Sequence, residues 1–131
     1  MSKYKFYKEY ELNINPRILF ELISTSIGLD QWFAKTEHDK ETNKWVFTWD
    51  NEAHPARVAY HKIGKAVRFE FEENGEAKSK EPSFIEFTIS QSALTKSVYL
   101  AVTDYSEMDD EEDLTELWDD LIHKLKSLSG L

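Results

Sequence analysis

Cysteine is absent from this sequence of 131 residues, and its absence removes three kinds of site. Disulfide frameworks, zinc sites with thiolate ligands and cysteine nucleophiles all need that side chain. A chain without cysteine fits a reducing compartment, so we expect a cytoplasmic protein. The segment Met1 to Tyr10 alternates charged and aromatic residues, unlike a secretory signal, and no stretch approaches the roughly 20 apolar residues of a membrane helix. We therefore expect no membrane span.

Basic residues are outnumbered: 16 Lys and Arg stand against 25 Asp and Glu, which gives a net charge of −9. A field of this sign repels phosphate backbones, so we expect no nucleic-acid partner. Glycine is scarce, and its four positions lie too far apart to form a phosphate-binding loop: Gly28, Gly64, Gly75 and Gly130.

Metal-binding and catalytic patterns are also missing. The four histidines include no pair with the spacing of a helical metal site: His38, His54, His61 and His123. The acidic run from Glu107 to Asp113 lacks the spacing and the glycine of a calcium loop, and we interpret it as a helix start that the helix dipole stabilises. The chain has no Gly-x-Ser-x-Gly elbow. We expect no metal, no cofactor, no catalytic residue and no enzymatic activity.

The chain does contain ample material for a core. Hydrophobic residues make up 40% of it and aromatic residues 14%, enough to fold without disulfides or metals. Its length fits a single domain spanning residues 1–131.

The C-terminal segment from Asp109 to Leu128 is predicted to form one long amphipathic helix. Its apolar residues recur at helical spacing and share one stripe. The predicted stripe consists of Leu114, Leu117, Trp118, Leu121, Ile122, Leu125 and Leu128. A stripe of this width needs a surface to cover.

The rest of the chain is dominated by strands. A strand over Tyr4 to Asn13, with Lys8 interrupting its apolar face, precedes a helix that Asn15 caps and Pro16 starts. A second short helix is predicted over Leu29 to Ala34. Alternation then predicts consecutive strands separated by turns. The strands centre on 45–49, 57–63, 67–72, 85–90 and 98–103, and the main breaks are 39–43, a turn at Asp50 to Pro55, and a charged loop at Glu73 to Pro82.

This order predicts an α+β fold, because short connections between alternating strands favour an antiparallel meander with helices on one face. A sheet of this length has to curl. Its inner face would carry Trp45, Phe47, Trp49, Phe69, Phe71, Phe87 and Ile89. These aromatic residues are either ordinary core or the wall of a cavity beneath the terminal helix.

Two motifs carry a family resemblance. One is Asn15-Pro16-Arg17-Ile18-Leu19-Phe20-Glu21-Leu22-Ile23 followed by Gly28-Leu29-Asp30-Gln31-Trp32-Phe33, and the other is Leu117-Trp118-Asp119-Asp120-Leu121-Ile122-His123-Lys124-Leu125-Lys126. With the element order, they resemble the START/Bet v 1-like (SRPBCC) superfamily, whose helix-grip fold wraps a curved antiparallel sheet around a long C-terminal helix. The motifs are most similar to the branch of the Aha-type activator of the heat-shock protein 90 ATPase.

The resemblance implies a cavity between helix and sheet that holds a small, largely apolar molecule. The residues we expect around it are Trp32, Phe33, Trp45, Phe47, Trp49, Arg57, Ala59, His61, Phe69, Phe71, Phe87, Trp118, Leu121, Ile122 and Leu125. Alternation predicts that Arg57, Ala59 and His61 share one face, and an inward Arg57 could hold a ligand carboxylate bidentately.

Three functions follow as hypotheses. The first is binding of a lipid-like or aromatic molecule without catalysis. The second is a protein-interaction or co-chaperone-like domain, with a protein partner or a homodimer, although we expect no counterpart of the further domain with which the eukaryotic activator grips the chaperone. The third is an enzyme of the cyclase or aromatase type, for which Arg57, Tyr60 and His61 form no recognisable acid–base set.

Overall fold

A computed structural model describes residues 3–72 and 81–128 of the chain. The elements follow one another along the chain in the order β1 Tyr4–Leu12, α1 Pro16–Ser24, α2 Ser26–Trp32, β2 Lys35–Asp39, β3 Lys44–Trp49, β4 Glu52–Lys62, β5 Ala66–Phe71, β6 Phe84–Gln91, β7 Val98–Ser106 and α3 Glu111–Leu128. Most of the predicted loop at Glu73 to Pro82 lies outside the described residues, as does Gly130.

All seven strands form one antiparallel sheet in the order β1-β7-β6-β5-β4-β3-β2. From β2 to β7, each strand pairs with the next strand along the chain. The first strand, β1, pairs with β7, so β1 and β2 are the two edge strands of the sheet. The long helix α3 packs against this sheet, and the two short helices follow β1. The α+β class and the helix-grip arrangement predicted from the sequence are confirmed.

The hairpin between β3 and β4 is tighter than predicted. Asp50 and Asn51 have φ angles of 52° and 61°, and Trp49 pairs directly with Glu52. Two consecutive positive φ values define a two-residue type I′ turn, whose twist matches that of the flanking strands. The predicted turn at Asp50 to Pro55 is therefore too long, because β4 already begins at Glu52.

The corner between α1 and α2 explains the first sequence motif. Asn15 Oδ1 accepts a hydrogen bond from Arg17 N at 2.8 Å, which caps α1. A Cβ atom on Gly28 would lie 2.2 Å from Glu21 O, so the two helices approach too closely for any other residue. Trp32 Nε1 donates to Leu22 O at 2.8 Å. Helix α2 starts and ends slightly earlier than the predicted Leu29 to Ala34.

Helix α3 is held on the sheet by its apolar stripe and by polar bonds to β1. Asp110 caps it by accepting from Asp113 N at 3.1 Å. Lys8, the residue that interrupts the apolar face of β1, places Nζ 2.8 Å from Asp119 Oδ1, and the Tyr10 hydroxyl donates to the same oxygen at 2.8 Å. Both bonds hold the pKa of the Asp119 carboxyl below its usual range. Lys8, which interrupts the alternation of β1, thus binds α3 to this strand.

The apolar stripe of α3 is only partly buried. Leu114, Trp118, Ile122 and Leu125 are buried, and Leu121 is half-buried. Leu117 and Leu128, which helical spacing places on the same stripe, remain 42% and 39% exposed. For Leu117 the reason is local, because it faces a cavity instead of the core.

Candidate ligand-binding cavity

A cavity of about 950 Å³ lies between the middle of α3 and the sheet. Residues from the five strands β3 to β7 and from their connections surround it, together with Phe33 just after α2. The described lining residues are Phe33, Trp49, Asp50, Glu52, His54, Phe71, Glu72, Ser83, Phe84, Ile85, Asp104, Tyr105, Ser106, Glu107, Met108, Leu117, Trp118 and Leu121. The volume is at the upper end of the range for small-molecule sites.

Four aromatic side chains form one side of the cavity, and we call them the aromatic wall: Phe33, Trp49, Phe71 and Trp118. Phe33 stacks on Trp118 with ring centroids 5.7 Å apart and planes at 15°. It also meets Trp49 edge-on at 6.1 Å, and Trp49 meets Phe71 edge-on at 5.7 Å. This continuous set of ring contacts gives the cavity an apolar side with fixed geometry.

A buried carboxyl group, Asp104, lies beside the wall. It is 7% exposed on β7, where it pairs with Phe6 on one side and Ile85 on the other. Trp118 Nε1 donates to Asp104 Oδ2 at 2.9 Å. Burial raises the pKa of Asp104, and hydrogen bonds from the side chains of Trp118 and Ser106 oppose that rise. Trp118 therefore belongs to the aromatic wall and also holds the buried acid.

The charged residues among the described lining of the cavity are all acidic. We call Asp50, Glu52, Glu72 and Glu107 the acidic rim; no Lys or Arg is found among the described lining residues. Within residues 3–72 and 81–128, none of the four rim carboxylates forms a salt bridge. The histidine of the lining, His54, stacks on Trp49 at 3.8 Å, and its buried Nε2 has no hydrogen-bond partner in the described part of the chain. The site thus combines aromatic surface with negative charge.

The residues expected from the sequence divide into three groups. Five of them line the cavity: Phe33, Trp49, Phe71, Trp118 and Leu121. Seven are packed in the core instead and do not line it: Trp32, Trp45, Phe47, Phe69, Phe87, Ile122 and Leu125. The remaining three, Arg57, Ala59 and His61, are exposed.

A β-bulge separates Arg57 from His61, and the prediction that these residues share a face with Ala59 is wrong. The pairing of β4 with β5 shifts between Val58 and Tyr60, which leaves Ala59 as an extra residue. Arg57 pairs with Glu70 on the outer face, where Nη2 lies 2.7 Å from Oε1. His61 pairs with the buried Val67, at the edge of the sheet beside Phe20. Arg57 is thus directed away from the cavity, so it does not hold a ligand there.

Sequence reasoning missed Asp104, although a signal for it was present. Asp104 continues the inward alternation of Val98, Leu100 and Val102, which places it on the inner face by parity alone. Most other missed residues belong to strand ends and connections, such as Asp50 and Met108. Alternation carries no information on how such segments gather around one end of a sheet.

The acidic run from Glu107 to Asp113, which extends into the first turn of α3, forms no metal site among the described residues. In residues 3–72 and 81–128, no three His, Asp or Glu side chains converge as metal ligands. Helix α3 is not apolar enough to cross a bilayer, and neither is any other described helix.

A seven-stranded antiparallel sheet that packs on a long terminal helix, with two short helices after the first strand, is the helix-grip arrangement. A family model described as a START-like superfamily domain matches residues 1–131, and the chain belongs to that family. No curated protein matches the chain by sequence.

Solved structures agree with the family assignment. Protein MLL2253 from Mesorhizobium loti superposes with a TM-score of 0.74 at 13% identity, over 95% of this chain and 96% of that one. The Aha1 dimer from Colwellia psychrerythraea gives 0.73 at 13% identity, with 96% of each chain covered. Protein BH1534 from Bacillus halodurans gives 0.73 at 16% identity, covering 98% and 99%. Similarity at this level of identity shows the fold, including the structural match to an Aha-type protein.

Proposed function

We propose that the protein binds a small, largely apolar ligand in the cavity beneath α3, without catalysing a reaction. The observation that carries the proposal is the cavity of about 950 Å³ with its aromatic wall. Members of the START-like family commonly bind apolar molecules in this position, which supports the same role here.

The contacts of the lining support binding over catalysis. The hydrogen bonds at Asp104 come from an indole and a hydroxyl, and they hold a carboxyl group in place. His54 makes no hydrogen bond to a nucleophile among the described residues; its ring stacks on Trp49. A nucleophile paired with a base, which covalent catalysis requires, is not formed by these side chains.

The energetics are sufficient for moderate affinity. Each Å² of apolar surface removed from water contributes about 25 cal/mol, and association offsets a large part of the sum. We expect a dissociation constant on the order of micromolar for a neutral aromatic dye such as N-phenyl-1-naphthylamine.

Filling the cavity tests the proposal. Leu117 is 42% exposed and lines the cavity, so Leu117→Trp places an indole in the ligand space. Displacing about 60 Å² of ligand contact at about 25 cal/mol per Å² weakens binding about tenfold. Fluorescence titration with the dye measures this change. The matched control is Leu94→Trp, at a residue that is 95% exposed between β6 and β7. Equal affinity of both variants and the wild type would contradict binding in this cavity.

A second candidate function is protein binding, and the outer side of α3 favours it. Exposed carboxylates follow one another there, including Glu112, Glu116 and Asp120, which suits a basic partner surface.

The related Colwellia psychrerythraea protein is described as a dimer. Sedimentation across a range of protein and salt concentrations tests self-association. We expect mutual repulsion of these acidic faces to keep the protein monomeric at low salt, and a stable dimer there would make self-association the better candidate.

A further inference from the structure

The charge of the cavity constrains its ligand. Five carboxyl groups belong to the described lining, namely Asp104 and the acidic rim, and the same lining contains no Lys or Arg. A ligand with an acidic head group would enter a region of like charge, which is unfavourable.

Asp104 and the aromatic wall meet at one residue. Trp118 stacks on Phe33 and donates its Nε1 hydrogen to Asp104 Oδ2 at 2.9 Å. A ligand packed on the wall therefore lies next to the buried acid. Two features of this place favour a cation: the half-buried indole of Trp49 attracts positive charge, and an opposite charge nearby favours the ionised form of a buried carboxyl group.

We propose that the natural ligand is an apolar molecule carrying a protonated amine, with the amine directed to Asp104 and the apolar part on the aromatic wall. This inference rests on the ligand-binding function proposed above and adds the chemical class of the ligand. The acidic rim draws the cation to the cavity mouth, and Asp104 fixes its final position.

Three probes with the same alkyl chain and different head groups test the inference: decylamine, decanol and decanoate. Each displaces N-phenyl-1-naphthylamine from the wild-type protein at neutral pH, below the concentration at which the probe forms micelles. A hydrogen bond to a charged partner adds about tenfold or more to affinity, so decylamine should bind about tenfold more tightly than decanol. Decanoate should bind more weakly than decanol.

Two variants locate the effect. Asp104→Asn should lower the affinity for decylamine to that for decanol and leave decanol itself unchanged. Asp120→Asn removes the same charge from the exposed side of α3, outside the cavity, and should keep the preference for the amine. If Asp104→Asn fails to fold, as judged by circular dichroism, the wild-type ratio of the three affinities decides alone.

The outcomes separate this inference from the function on which it rests. Equal binding of the three probes, or tighter binding of decanoate, would overturn the cationic ligand and leave apolar ligand binding intact. Retention of the amine preference in folded Asp104→Asn would also overturn it. Binding of none of the probes by the wild type, including the dye, would overturn both.

Discussion

At the scale of single residues, Asp104 is the least expected feature of the fold. A carboxyl group 7% exposed between Phe6 and Ile85 is costly to bury, and the bonds from Trp118 and Ser106 offset only part of that cost. Apolar residues of similar size at this place would make a more stable core. The amine of the ligand proposed above would offset part of this cost.

The raised pKa of Asp104 predicts how stability depends on pH. Folded Asp104 holds its proton more tightly than the unfolded chain does, so its contribution to stability is greatest below about pH 4 and falls as the pH rises towards the folded pKa. Asp104→Asn does not titrate. The free energy of unfolding of the wild type should therefore decline relative to that of the variant as the pH rises from about 4 to neutrality. Urea unfolding at a series of pH values measures this difference, and a difference that is constant with pH would contradict the assignment.

Residue-level inference from the sequence succeeded where periodicity was enough. Alternation identified Trp49 and Phe71 as inward, and helical spacing identified Trp118. Lys8 looked like an interruption of β1 because its partner, Asp119, is distant in the chain. Polar residues on an apolar face are explained only when the opposite element is known.

At the scale of elements, the corner between α1 and α2 places Phe33 in the aromatic wall. Thr25 caps α2 by accepting from Gly28 N at 2.9 Å, and Trp32 is tied to the end of α1 through Leu22 O. Phe33 follows directly and meets Trp118 and Trp49. The motif from Gly28 to Phe33 thus packs α2 against α1 and places Phe33 in the aromatic wall.

Gly28→Ala tests this corner. In an ordinary helix, alanine is about 1 kcal/mol more favourable than glycine. Here its Cβ would lie 2.2 Å from Glu21 O and 2.7 Å from Leu22 Cα, both backbone atoms, so the helices must separate. We expect destabilisation by about 1–3 kcal/mol or more in urea unfolding. Gly64→Ala is the comparison, since φ of 75° strains it but no atom lies within 4 Å, and it should cost less. A gain in stability from Gly28→Ala would show that the close contact is absent.

Element boundaries differ from the sequence prediction for two local reasons. The β3–β4 turn is made by Asp50 and Asn51, without the glycine that usually marks a type I′ turn. The bulge at Ala59 reverses the alternation of β4, which moved Arg57 and His61 to opposite faces. Neither feature has a distinctive sequence pattern here, whereas the strands, the Pro-started helix and the long terminal helix do.

At the scale of the whole molecule, one side of α3 packs tightly on the sheet, and an adjacent side of the helix borders the cavity. Leu114, Ile122 and Leu125 are buried in the core, and Lys8 and Tyr10 hold Asp119. Leu117 and Leu121 border open space instead. The sequence predicted the fold and a helix covering an aromatic sheet. It did not predict the acidity of the cavity, which arises from strand ends and connections brought together only by the complete sheet.

The four tryptophans allow the central claim to be tested in one spectrum, because each indole N–H gives its own NMR signal. Trp49 and Trp118 belong to the described lining of the cavity, although Trp118 is only 1% exposed, whereas Trp32 and Trp45 are not part of that lining. Titration of ¹⁵N-labelled protein with N-phenyl-1-naphthylamine should shift the indole signals of Trp49 and Trp118 and leave those of Trp32 and Trp45 in place. Larger shifts for Trp32 and Trp45, or no shift of any indole at a saturating dye concentration, would contradict a ligand site beneath α3.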